Sequence, residues 1–70
     1  MWIRSQDKIS LVEIHDLILD GFNQLWGNSA LIGEYSSKEK ALKVLDAIEN
    51  SLEYPYNTVF QMPQDDEVEV

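Results

Sequence analysis

The sequence predicts an α+β fold: a small, mainly antiparallel β-sheet, built as a meander, with one α-helix packed across one face and a C-terminal strand. Three observations predict it. In SSKEKALKVLDAIENSLE, the apolar residues Ala41, Leu42, Leu45, Ile48 and Leu52 recur at helical spacing, with Val44 flanking. Before that segment the chain is a series of short apolar runs broken by Gly, Asn, Asp and Ser, which is strand and turn composition. Neither a short meander nor a striped helix can bury its apolar face alone, and laying one on the other buries both.

The strands follow in order. Trp2–Gln6 forms the first, and Asp7-Lys8 turns the chain. Ile9–Ile14 nearly alternates, and its slip at Leu11-Val12 predicts a bulge or a two-sided strand. His15-Asp16 makes a second turn, and the continuous run Leu17-Ile18-Leu19 predicts a central strand. Gly21, Asn23, Gly27, Asn28 and Ser29 punctuate a hairpin-like region around Phe22 and Trp26. Ala30–Tyr35 leads into the helix. Ser36, three residues before Glu39, has the spacing of a capping box. Tyr54-Pro55 ends the helix near Glu53, since proline pushes its predecessor out of helical geometry. Asn57–Met62 returns as a strand that stops at Pro63. Residues 1–63 thus form a single domain, and residues 64–70 form an acidic tail, flexible by composition.

Seventy residues bury little surface, so stability is thin. With no cysteine, no disulfide framework or thiolate metal site is possible. A single histidine builds no histidine cluster, and the sequence calls for no cofactor and no metal. The chain lacks a signal-peptide pattern and an apolar run of ~20 residues, which points to a soluble, cytoplasmic protein. Thirteen acidic against five basic side chains give a net charge of −8, which argues against nucleic acid and anionic membranes as partners.

The run Arg4-Ser5-Gln6-Asp7-Lys8 places a guanidinium, a hydroxyl, an amide, a carboxylate and an ammonium side by side. Strand alternation separates them: Arg4 and Gln6 share one face, Ile3 and Ser5 the other, and Asp7 and Lys8 fall in the turn. A nucleophilic Ser5 needs a base, and nothing in the spacing brings His15 to it. The run therefore reads as structural, with Arg4 pairing a nearby carboxylate and Asp7 shaping the turn. His15-Asp16 reads as a turn rather than a ligand pair. Asp65, Asp66, Glu67 and Glu69 lack the glycine and ligand spacing of a calcium loop. Gly33 reads as a close packing contact. No catalytic residue is assigned. The candidate interaction surface is Trp2, Trp26, Tyr54 and Tyr56, aromatic residues near element ends, with Asp65 and Asp66 in the tail.

At IRSQDK, at IGEYSSKEKALKVLDAI and at VFQMPQDDE, the chain resembles a group of short uncharacterised proteins of Gram-positive bacteria, often carried on prophages or other mobile elements. The resemblance covers both ends and the helix, and matches less well from Leu17 to Asn28. It implies a small phage-type accessory protein and a shared structural role for IRSQDK, and it transfers no activity. Two readings of function follow. One is a non-enzymatic interaction module that self-associates through a sheet edge or its aromatics and docks on an unknown protein. The other is an acidic nucleic-acid mimic that blocks a nucleic-acid enzyme, which needs carboxylates arranged along one face.

Overall fold

The computed structural model describes residues 1–53 and 59–70. Strands β1 (Trp2–Arg4), β2 (Leu11–Glu13), β3 (Leu17–Leu19), β4 (Gln24–Gly27) and β5 (Ala30–Glu34) precede helix α1 (Lys38–Ser51), which is followed by β6 (Phe60–Gln61) and a 3-10 turn at Asp65–Glu67. The architecture is α+β, but the strands form two three-stranded sheets, β2-β1-β6 and β3-β4-β5, rather than one meander. All pairings are antiparallel except β1 with β6, where Ile3 lies opposite Phe60 in a parallel register.

Ile3, Leu25, Ile32, Tyr35, Ala41, Val44, Ile48 and Met62 form the core. They come from both sheets, the helix and the C-terminal segment, so the helix closes a core that neither sheet builds alone. The buried residues of α1 are Ala41 and Ile48 from the predicted stripe and Val44, which flanks it; Leu45 packs partly buried against them, and Leu42 and Leu52 are left exposed. Leu52 is 61% exposed. Val44 and Ile48 follow Ala41 at +3 and +7, so the buried row is centred on the Val44 side of the expected seam.

Four local expectations are corrected. Ser37, not Ser36, caps the helix, its hydroxyl accepting from the Lys40 amide at 3.2 Å. The Ser36 amide is used elsewhere, donating to Asp65 Oδ1 at 2.7 Å. The bulge lies in β5 rather than at Leu11-Val12. Leu25 faces Gly33 and Trp26 faces Leu31, so Ile32 is the extra residue and packs inward beside Gly33. Leu17–Leu19 is an edge strand, and β4 is the central one. Arg4 donates through Nε to the Lys8 carbonyl at 2.7 Å, closing the turn, and pairs with no carboxylate among the described residues.

The C-terminal segment is docked against the domain. The Gln64 amide donates to Glu67 Oε1 at 2.7 Å, and the Gln64 side chain reaches the Gln6 carbonyl at 2.7 Å. Lys40 Nζ lies 3.4 Å from Asp65 Oδ2, and Val68 packs on the core. Composition suggested a free tail, but hydrogen bonds to Ser36, Lys40 and Gln6, all distant in sequence, give these residues fixed partners. Tyr54 and Tyr56, and the predicted start of the last strand at Asn57, lie outside the described residues.

Candidate interaction surface

The polar run after β1 is wired inward. Ser5 is buried, donates to Asp7 Oδ1 at 2.5 Å and accepts from the Ser10 amide at 3.1 Å. That bond from Ser5, with a second from the Ile9 amide, holds the Asp7 carboxyl below its usual value. Lys8 takes a positive φ of 71°, which the tight turn imposes. Gln6 joins the two sheets. Its backbone amide donates to the Ile32 carbonyl, its Nε2 donates to the Glu34 carbonyl at 2.9 Å, and its Oε1 accepts from the Glu34 amide at 2.8 Å. A side-chain amide thereby pairs with β5 as another strand would. His15 is exposed, far from any role with Ser5, because Ser5 already has Asp7 and Ser10 as partners. Its backbone amide and that of Asp16 donate to Asn28 Oδ1, and Asn28 Nδ2 donates to the Glu13 carbonyl. His15-Asp16 is thus a pinned bend. Among the described residues no group of three His, Asp or Glu side chains is placed to hold a metal ion.

Gly33 is a close contact, as expected. A Cβ there would lie 2.9 Å from Met62 Cε and 3.1 Å from the Tyr35 ring. The Tyr35 hydroxyl donates to the Pro63 carbonyl at 2.8 Å. Burial, with Asp65 and Glu67 nearby, pushes its pKa up to about 12. These groups fasten the C-terminal segment.

What remains is surface. Sheet β3-β4-β5 turns Leu25 and Ile32 toward the helix and its other face toward solvent. On that outer face the register sets Ile18 opposite Trp26 and Trp26 opposite Leu31, one apolar residue per strand in an unbroken row. Ile18 is 59% and Leu31 41% exposed, and Trp26 is half-buried between them. The next row is polar: Asp20, Gln24 and Glu34, with Gln24 Nε2 donating to Glu34 Oε1 at 3.3 Å. Asp20 fixes the tryptophan. Its Oδ2 accepts from Trp26 Nε1 at 2.9 Å, while Oδ1 accepts from the amides of Phe22 and Gln24. Burial pushes the Asp20 carboxyl up, but the three bonds outweigh it and the net pKa is lowered.

Comparison with protein-family models, with curated proteins and with solved structures found no match.

Trp2, the other predicted tryptophan, is 46% exposed on the outer face of β1, but Glu13 lies opposite and Arg4 follows on the same face, so charge interrupts its apolar surround. Asp65 is spent on Ser36 and Lys40, and its carboxyl is lowered chiefly by the Ser36 amide bond against some burial. Asp66 is exposed. Trp2 and Trp26 stand on different sheets, and Asp65 and Asp66 on a third element. Sequence reasoning found Trp26 but missed Ile18 and Leu31. Leu31 was hidden by the bulge, which reverses the alternation within Ala30–Glu34. A second apolar feature is a groove of about 370 Å³ beside the last helical turns, lined by Leu17, Leu45, Ile48 and Leu52 with Asp16 and Glu49.

Proposed function

We propose that this protein is a non-enzymatic interaction module, a small phage-type accessory protein that docks another protein in the cytoplasm through the outer face of β3-β4-β5. The observation that carries the reading is the row Ile18–Trp26–Leu31. A tryptophan set between two exposed aliphatic residues has the composition of an interface hot spot. Its indole N–H is already satisfied by Asp20, so the ring offers an apolar surface and makes no polar demand on a partner. Because that bond also fixes the ring, little side-chain freedom is left to lose on binding. The resemblance to small prophage-carried proteins supports the accessory role, and a cysteine-free composition suits a reducing compartment. The nucleic-acid-mimic alternative draws no support from the carboxylates of Asp7 and Asp65, which are turned to internal donors.

The test is affinity enrichment from the host with the folded wild-type protein and with Ile18→Ser and Leu31→Ser variants. Both positions are exposed, so both variants should melt close to wild type. A partner that wild type retains and both variants lose by about tenfold or more supports the reading, each lost anchor costing on the order of 1–2 kcal/mol. Equal recovery by all three proteins sinks it.

A further inference from the structure

Among the described residues the outer edge of β3 has unpaired backbone, and its orientation follows from the bonds that flank it. The Asp20 amide donates to the Gln24 carbonyl at 3.0 Å, and the Asn28 amide donates to the Asp16 carbonyl at 3.4 Å. Antiparallel pairing alternates, so with positions 16 and 20 bonded to β4, Ile18 is bonded to β4 as well. Leu17 and Leu19 then aim their N–H and C=O groups away from β4. Among the described residues no strand pairs with that side. The opposite edge of the sheet is not equivalent, because Gln6 covers β5 there.

Charge selects the occupant. On the outer face the alternation runs Asp16, Ile18, Asp20, an aliphatic residue between two carboxylates; Asp16 Oδ1 accepts from the Asn28 amide at 3.1 Å and Asp20 from Trp26, Phe22 and Gln24, neutral donors that leave both negative charges in place. A second copy pairing antiparallel about Ile18 would set Asp16 of each chain opposite Asp20 of the other, and like charges directly opposite are unfavourable. Two chains of net charge −8 also repel at longer range. A segment with basic residues at those two positions turns both repulsions into attractions.

We propose that β3 takes up an extended, basic segment of a partner protein by strand addition, in the pattern basic–apolar–apolar–apolar–basic. This names the partner chemistry for the surface proposed above and rests on that reading. The segment's backbone pairs with Leu17 and Leu19. Its two basic residues lie opposite Asp16 and Asp20, and its central apolar residue extends the row Ile18–Trp26–Leu31 by one strand. Its other two apolar residues lie opposite Leu17 and Leu19. Leu17 also lines the groove formed with Leu45 and Leu52.

The test uses the whole isotope-labelled protein and two capped synthetic peptides, Ser-Lys-Val-Ile-Val-Lys-Ser and its counterpart with Glu in place of both Lys. The expected result is amide shift changes and slowed hydrogen exchange centred on Leu17 and Leu19. Binding should be at least about tenfold tighter for the Lys peptide at low salt, and the gap should narrow as salt rises. Asp16→Asn keeps an acceptor for the Asn28 amide but removes one of the two charges, and should weaken Lys-peptide binding while the circular-dichroism spectrum stays native. Equal binding of the two peptides, shifts confined to other elements, no binding at millimolar peptide, or a dimer held through β3 in sedimentation each overturn the proposal. If the peptides fail while Ile18→Ser still releases the native partner, strand addition is wrong and the docking face stands. If Ile18→Ser releases nothing, the face itself is wrong.

Discussion

Gln6 carries more of the tertiary structure than any property of glutamine in the sequence would suggest. Its side chain donates to the Glu34 and Pro63 carbonyls and accepts from the Glu34 amide, and its own carbonyl accepts from Gln64. One residue thereby ties β5 to the end of β1 and to the C-terminal segment. Replacing it with alanine leaves the Glu34 amide and carbonyl without those partners. At roughly 0.5–1.5 kcal/mol per net hydrogen bond, and with some water substitution at a partly exposed site, Gln6→Ala should destabilise by about 1–3 kcal/mol. The measurement is the urea midpoint at unchanged slope. Gln6→Glu should recover little, because a carboxylate can accept from the Glu34 amide but cannot donate to either carbonyl. A loss below about 0.5 kcal/mol for Gln6→Ala would show that water replaces the amide. Alternation alone separated exposed Arg4 from buried Ser5, but it did not foresee that Ser5 donates to Asp7. Gln6's partners lie 28 and 57 residues away, and no local pattern in the sequence names them.

At the scale of elements, the helix was legible because its apolar spacing leaves no other reading. Its rotation was not. Leu42 and Leu52 have the right spacing, yet the space beneath the helix is filled by Ile3, Leu25 and Ile32, which meet Ala41, Val44 and Ile48. The cap was ambiguous for a similar reason: Ser36 and Ser37 are adjacent, and the choice falls to Asp65, which engages the Ser36 amide from 29 residues away. The two serines should therefore separate in a simple comparison. Ser37→Ala removes the acceptor for the Lys40 amide and should cost about 1 kcal/mol, whereas Ser36→Ala should cost under about 0.5 kcal/mol. For a chain of this size 1 kcal/mol corresponds to a fall in Tm of roughly 4–8 °C, which calorimetry resolves. Equal shifts would mean that the capping box at Ser36 and Glu39 forms after all. The edge position of β3 was hidden differently. Leu17-Ile18-Leu19 is as apolar as a central strand because Leu17 and Leu19 pack on the core while Ile18 joins the exposed row, so composition could not distinguish burial on two faces from burial on one.

Across the whole molecule, titration should destabilise the fold at both ends of the pH scale, and through different groups. Asp7, Asp20 and Asp65 each have a carboxyl lowered in the folded state, and each accepts hydrogen bonds that fix a turn, the tryptophan or the C-terminal segment. Their folded pKa values lie below the unfolded ones, so below an ordinary carboxylate value of about 4 the unfolded chain binds more protons. The stability these groups supply is present above that pH and is lost as pH falls through their folded values. Tyr35 has the opposite sign. Its folded pKa of about 12 exceeds an unfolded value of about 10, so its contribution is complete below pH ~10 and is lost as pH rises toward 12. The urea midpoint should thus form a plateau between roughly pH 5 and 9 and fall on both sides. Asp65→Asn should flatten the acid side, and Tyr35→Phe should lower the plateau by the lost bond to Pro63 while removing that tyrosine's share of the alkaline fall. Because Tyr35 and Asp65 both fasten the segment that begins at Pro63, the two variants together should cost less than the sum of their separate effects if that segment docks as a unit. Strict additivity in the double variant would show that each holds its own contact independently.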